Sequence, residues 1–316
     1  MKKIHIVLFL LMMISNLSFA NNDIRNKCKE FSENIEKSAF SLDFKKNISF
    51  ESGVLWEVTT PNKKINYLFG TMHAQDYSVS RYPPEVRLAL VNSKKLILEI
   101  IPSNQANAAY IDNMYFKDGK QLNHILEEVF FKQLKEQIKN YSLSDEEFKN
   151  IKYLKPWAAF NLIGRPKIVD APTLESNLLK LAKQRMLHID SLESMDEVIS
   201  SLEKLSDNDQ LNILRDTICN HKSIIKETKT LVDLYVQRDT LGILNFNNKK
   251  YFDEDLYKRY MQLMLHDRNK KMLSKMINEF ENSGIFVAVG ILHLISEQGI
   301  LEELSNQGYK LKVISF

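Results

Sequence analysis

The sequence predicts a mixed α/β fold: one central mixed sheet built from both ends of the chain, with a large helical insertion between them. Three observations carry that expectation. Short apolar, β-branched and aromatic runs cluster in residues 53–101 and return in 285–314. Residues 103–280 instead show helical periodicity and capping signals. Gly and Pro are scarce, at 9 and 7 in 316 residues, and no linker or fixed-period repeat divides the chain. One sheet covered by the intervening helices is the economical way to bury these faces, so residues 21–316 are expected to form a single domain.

The elements follow in order. Lys2 and Lys3 precede an almost wholly apolar run, Ile4–Ile14, and Ser18-Phe19-Ala20 ends it with small residues. This is the order of a secretory signal peptide over residues 1–20, cut after Ala20. The run is short for a bilayer span, which takes roughly 20 apolar residues. An uncleaved N-terminal anchor is the alternative. No later segment is long and apolar enough to span. The mature protein is therefore expected in the periplasm or secreted, with no stable membrane span.

Val54–Thr59 and Ile65–Phe69 read as strands around a Pro61–Lys64 turn, Pro84–Asn92 as a short helix, and Lys95–Ile101 as a strand ended by Pro102. Ser144-x-x-Glu147 and Ser194-x-x-Glu197 fit capping boxes, and Pro172 fits the first turn of a helix reaching about Arg185. His188–Leu192 reads as a short strand, and Asp207–Glu281 as several long helices. Ile285–Val289 is a buried-type strand, Ile291–Ser305 a helix and Tyr309–Ile314 a final strand.

Composition narrows the partners. Hydrophobic content of 44% and charged content of 26% are those of a globular protein. The formal charge of +3 falls to +1 without Lys2 and Lys3. Nothing basic enough to argue for nucleic acid remains. The two cysteines, Cys28 and Cys219, form an even pair in an exported chain and are expected to bridge; two separate buried thiols are the alternative.

The chemistry concentrates in two Gly-x-x-His turns, Gly70-Thr71-Met72-His73 and Gly290-Ile291-Leu292-His293. Each follows a predicted strand, and sites in open α/β sheets form at the carboxyl ends of strands. Each glycine is expected to let the backbone turn. His293 falls in the first turn of a helix, and Ala74-Gln75-Asp76 after His73 reads as loop. If the two strands are neighbours, the imidazoles converge. Glu99 lies in an apolar strand, and a buried carboxylate must be paired, metal-bound or protonated. Arg268 and Asn269 belong to a helix with an apolar stripe, Asn269 within the stripe and Arg268 on its flank. Arg268 could hold Glu99 or stabilise an oxyanion. Structural histidines and a plain Arg–carboxylate pair remain the bland alternatives.

These segments, with Leu154-Lys155-Pro156-Trp157 and Leu192-Glu193-Ser194, occur in an order that resembles the TraB/GumN family, which includes the Tiki-type proteases. Asp267 stands where relatives often carry Glu. The resemblance implies a domain related to the erythromycin-esterase and ChaN-like folds, with His73, Glu99, Arg268 and His293 gathered as a catalytic set. It also implies a metal-dependent hydrolase, with peptide or small-molecule substrates. His73 and His293 are the expected ligands of a divalent metal ion, with Glu99 as third ligand or general base; the metal-free alternative has one histidine as general base oriented by Glu99 and the other as acid. Gly70, Asn269 and Gly290 are expected to bind substrate. The alternative is a protein that binds and sequesters a peptide or small ligand without turnover, as in pheromone shutdown.

Overall fold

A computed structural model describes residues 22–36, 52–141, 143–166, 171–247 and 253–316. The expected signal peptide and its cleavage point lie outside the described residues.

The sheet has six strands: β1 (Leu55–Thr59), β2 (Ile65–Thr71), β3 (Lys95–Leu98), β4 (His188–Ser191), β5 (Ile285–Gly290) and β6 (Lys310–Val313), in the order β4-β3-β5-β2-β1-β6. β4, β3, β5 and β2 run parallel, while β1 is antiparallel to both β2 and β6. The C-terminal strand β5 is thus inserted between two strands from the first third of the chain. Its six residues, Ile-Phe-Val-Ala-Val-Gly, are all buried, as a central strand covered on both faces requires. The edge strand β6 carries exposed Lys310 and Lys312, which discourage pairing with another chain.

Buried Asn66 fixes where β5 begins. Its side chain donates to the Phe280 carbonyl and accepts from the Ile285 N–H, both at 3.0 Å. A helix end is thereby clipped to the strand that follows it.

Two boundaries differ from the sequence reading. β3 stops at Leu98, so Glu99 lies one residue beyond the strand. The expected helix over Ile291–Ser305 is two helices, Ile291–Ile295 and Ile300–Asn306. They part at Gly299, where a Cβ would stand 2.5 Å from the carbonyl oxygens of Leu294 and Ser296. Both expected capping boxes are present. Pro172 precedes the Thr173 cap of Leu174–Gln184 rather than opening that helix.

The apolar residues form two cores. One surrounds the sheet and the other fills the helical insertion. The helix Asp207–Val236 belongs to both. Its 30 residues span about 45 Å. Ile213, Leu214 and Ile218 pack in the helical core, and Leu231, Val232 and Tyr235 in the sheet core. Cys219 on this helix is bridged to Cys28 of the helix Asn22–Glu36, as expected. No helix among the described residues is long and apolar enough to cross a membrane.

Candidate active site

Both Gly-x-x-His turns leave the same edge of the sheet. β2 ends at Thr71, opposite Gly290 at the end of β5. On the other side of β5, Leu98 pairs with Ala288. The next N–H, that of Glu99, still donates to the Ala288 carbonyl at 3.0 Å. Sheet pairing therefore delivers Glu99 to the edge where His73 and His293 emerge.

Glu99 is only 3% exposed, and both carboxylate oxygens are engaged. Oε1 accepts from Arg268 Nη2 at 2.6 Å. Oε2 accepts from the Gly290 N–H at 3.0 Å and faces His73 Nε2 at 3.2 Å. His293 Nε2 stands 3.8 Å from Oε1.

Each imidazole is also held from behind. His73 Nδ1 lies 2.8 Å from Glu175 Oε1. His293 Nδ1 lies 2.6 Å from Asn269 Oδ1. The Asn269 amide nitrogen donates to the Gln298 carbonyl, so its oxygen faces the ring and His293 carries its proton on Nδ1. Nε2 of His293 is then the unprotonated ring nitrogen.

These surroundings shift the two rings in opposite directions. Burial disfavours the charged form of His73, but Glu175 and then Glu99 outweigh it and push its pKa up to about 10. Burial pushes His293 down, with Arg268 and His73 adding repulsion, against the pull of Glu99. Burial also works against ionised Glu99, yet the nearby basic groups, Arg268 and His73 among them, hold its carboxyl well below the usual range.

Arg268 lies behind Glu99. Its Nη2 also donates to Glu193 Oε2 at 2.7 Å, its Nε to the same oxygen at 2.9 Å, and its Nη1 to the Met264 carbonyl at 3.1 Å. Met264 belongs to a π-helical turn, Gln262–His266, that immediately precedes the helix Asp267–Phe280. Arg268, on the flank of the apolar stripe, is 1% exposed because neighbouring elements cover that flank as well. Of its two expected roles, the structure shows the first, holding Glu99.

The two glycines serve close approach. Neither has positive φ. A Cβ on Gly70 would stand 2.2 Å from Ile291 Cδ1, and one on Gly290 would stand 3.1 Å from His73 Nε2 and 3.3 Å from Glu99 Oε2. Each turn fills the gap left by the other's glycine.

A family model matches residues 54–313, that of the TraB/PrgY/gumN family. The chain belongs to this family. No curated protein and no solved structure matches it. The relation to the erythromycin-esterase and ChaN-like folds therefore rests on resemblance alone.

In this TraB-family protein the four expected catalytic residues, His73, Glu99, Arg268 and His293, lie together. The three residues expected to bind substrate lie beside them, engaged within the protein. The Gly70 carbonyl accepts from Tyr235 Oη at 2.8 Å, the Gly290 N–H serves Glu99, and Asn269 holds His293.

Two carboxylates carried no assigned role in the sequence. Glu175 sits in the first turn of Leu174–Gln184, where an acid is common. Its helical spacing to buried Leu178, Leu179 and Ala182 marks it as inward-facing, and that was the available signal. Glu193 follows β4 as Glu99 follows β3, and its N–H donates to the Glu99 carbonyl at 3.0 Å. Burial pushes Glu193 up, against the pull of Arg268.

As the side chains stand, no group of three or more His, Cys, Asp or Glu among the described residues is arranged to hold a metal ion. The donor types are nonetheless those that metals take, provided His73 gives up the proton that its carboxylate neighbours favour. Two Nε2 atoms and a carboxylate face one another, and both Nδ1 atoms are tied to acceptors.

Two cavities meet at this cluster. The larger, about 260 Å³, has walls from Pro102, Ser103, Asn104, Asn107, Thr173 and Ser176. The smaller, about 90 Å³, lies against both histidines. His73 and Glu99 line both.

Proposed function

We propose that this TraB-family protein is an exported hydrolase of peptide bonds, with His73, Glu99 and His293 acting on the substrate and Arg268 positioning Glu99. One observation carries the reading: two imidazoles flank one buried carboxylate where two cavities meet. Titratable groups pushed apart by their surroundings can serve as acid and base on one reacting centre. The larger cavity adds support, because Ser103, Asn104, Asn107, Thr173 and Ser176 place hydrogen-bonding groups for a peptide backbone among its apolar walls. The Cys28–Cys219 bridge supports the export reading, since such bonds persist in oxidising compartments.

A divalent ion belongs to the proposal. His73, Glu99 and His293 would hold it, and it would supply a water of lowered pKa and polarise the scissile carbonyl. The Nδ1 tethers favour this reading, because ligating histidines commonly donate their other N–H to such acceptors.

The hydrogen bonding between His73 and Glu99 favours a second, proton-only route through the same residues. The Nε2 atom of His293 takes a proton from water, and the hydroxide adds to the carbonyl carbon. His73 gives a proton to the leaving amine. Glu99 faces both rings and returns the proton from His293 to His73.

The experiment is a peptide-cleavage screen on the mature protein before and after chelation, with metals added back and elemental analysis in parallel. Cleavage lost on chelation and restored by a metal is the expected result. Cleavage untouched by chelation, with no bound metal, leaves the proton route. Peptide binding without turnover across a broad library, unchanged in His73→Ala and His293→Ala, would replace the hydrolase with a sequestering protein.

A further inference from the structure

The two cavities differ in chemistry. The smaller is walled by Leu231, Tyr235, Ile243, Leu265, Ile291 and Leu292. These come from the long helix, from Thr240–Asn247, from the π-helical turn and from the second Gly-x-x-His turn. Most polar groups that reach this wall are already engaged, although Thr71 Oγ1 is buried there without a hydrogen-bond partner. The Tyr235 hydroxyl bonds the Gly70 carbonyl, leaving its ring as apolar surface. Arg268 is spent on Glu99 and Glu193, and His293 Nδ1 on Asn269.

An apolar, preformed recess beside reacting groups selects for a matching apolar side chain. Its size narrows the choice. A dry cavity of about 150 Å³ accepts benzene. At about 90 Å³ this recess suits a branched aliphatic group of about three or four carbons, not an indole.

We infer that the smaller cavity receives a valine- or leucine-like side chain next to the bond being cut, while the larger cavity, whose wall mixes polar and apolar groups, holds the adjoining backbone. The inference rests on the hydrolase reading for the word "cut". The apolar recognition itself does not depend on turnover. Because His73 and Glu99 line both cavities, the scissile carbonyl sits at their junction.

The test measures binding of three capped amides to the mature protein: N-acetyl-leucinamide, its near-isosteric polar counterpart N-acetyl-asparaginamide, and N-acetyl-tryptophanamide. The leucine amide should bind about tenfold or more tighter than either of the others. Leu231→Ala should widen the recess and raise tryptophan-amide affinity. Ile243→Phe should fill it and erase the leucine preference. If either variant fails to fold, the wild-type series decides alone. Leucine amide binding no tighter than asparagine amide, or tryptophan amide binding equally well, overturns the inference. A cleaved peptide library with no aliphatic preference overturns it while the hydrolase reading survives. A leucine preference in a protein that cleaves nothing upholds the recess and removes the hydrolase.

Discussion

Arg268 and Glu99 form a buried ion pair, Nη2 to Oε1 at 2.6 Å, with each side chain at most 4% exposed. The guanidinium serves Glu193 as well, so one cation neutralises two carboxylates that the sheet places side by side. Removing one partner of a buried pair is costly because the remaining charge stays buried. Arg268→Met should lower stability by about 3–5 kcal/mol in urea titration. A loss below about 1 kcal/mol would show that the carboxylates relax by taking up protons.

Glu175 touches His73 alone of the two rings. Glu175→Gln keeps the shape and removes the charge. Turnover on the best peptide should fall about 10–100-fold, as for other groups that orient a working histidine. Unchanged turnover would make Glu175 a structural acid only.

Gly290→Ala places a methyl group 3.1 Å from His73 Nε2. His73 and Glu99 must give by a few tenths of an ångström to admit it, so turnover should fall, by less than the ~100-fold that a displacement of about 1 Å costs. Kinetics on Gly290→Ala and on Gly119→Ala should separate cleanly. Gly119 has φ +83 with open space around it, so its substitution strains a surface turn but leaves turnover intact.

Asp216 gives a pH signature in the helical core. Its Oδ1 accepts from Asn220 Nδ2 at 2.9 Å, and Oδ2 has no hydrogen-bond partner. Burial pushes its carboxyl up to about 8, against the Asn220 bond and aided by Glu227. The folded protein therefore keeps a proton that the unfolded chain releases near 3.8. This contribution to stability is complete below that value. It is lost as pH rises toward about 8, by at most about 1.4 kcal/mol per pH unit. Asp216→Asn should raise Tm at about pH 8 and lose that advantage near about pH 4. An equal Tm difference at both pH values would contradict the assignment.

The Cys28–Cys219 bridge closes 191 residues of separation. Its reduction should cost about 2–5 kcal/mol. Calorimetry with and without dithiothreitol measures the loss.

Much of this was legible in the sequence because period and burial agree there. The all-apolar run at β5 and the buried-type run before Glu99 announced central strands. The recurrence of Gly-x-x-His after two of the parallel strands pointed to one edge. What stayed hidden depends on contacts between distant segments. Glu175 resembles any first-turn acid until His73 arrives from another element. The helical wheel puts Arg268 on a stripe's flank, but its second carboxylate partner, Glu193, comes from a distant segment. The glycines suggested turning, whereas their use is proximity.

Ile291 fills the space beside Gly70, and His73 fills the space beside Gly290. The two turns are therefore interlocked, each cut to the outline of the other. Neither can drift alone. A larger residue at 70 calls for a smaller one at 291, and a change at 290 must be answered at 73, where the answer would forfeit the imidazole. In a set of relatives, position 70 should covary with 291, whereas 290 and 73 should be frozen together. The pair constitutes one packing unit, written at two distant places in the chain.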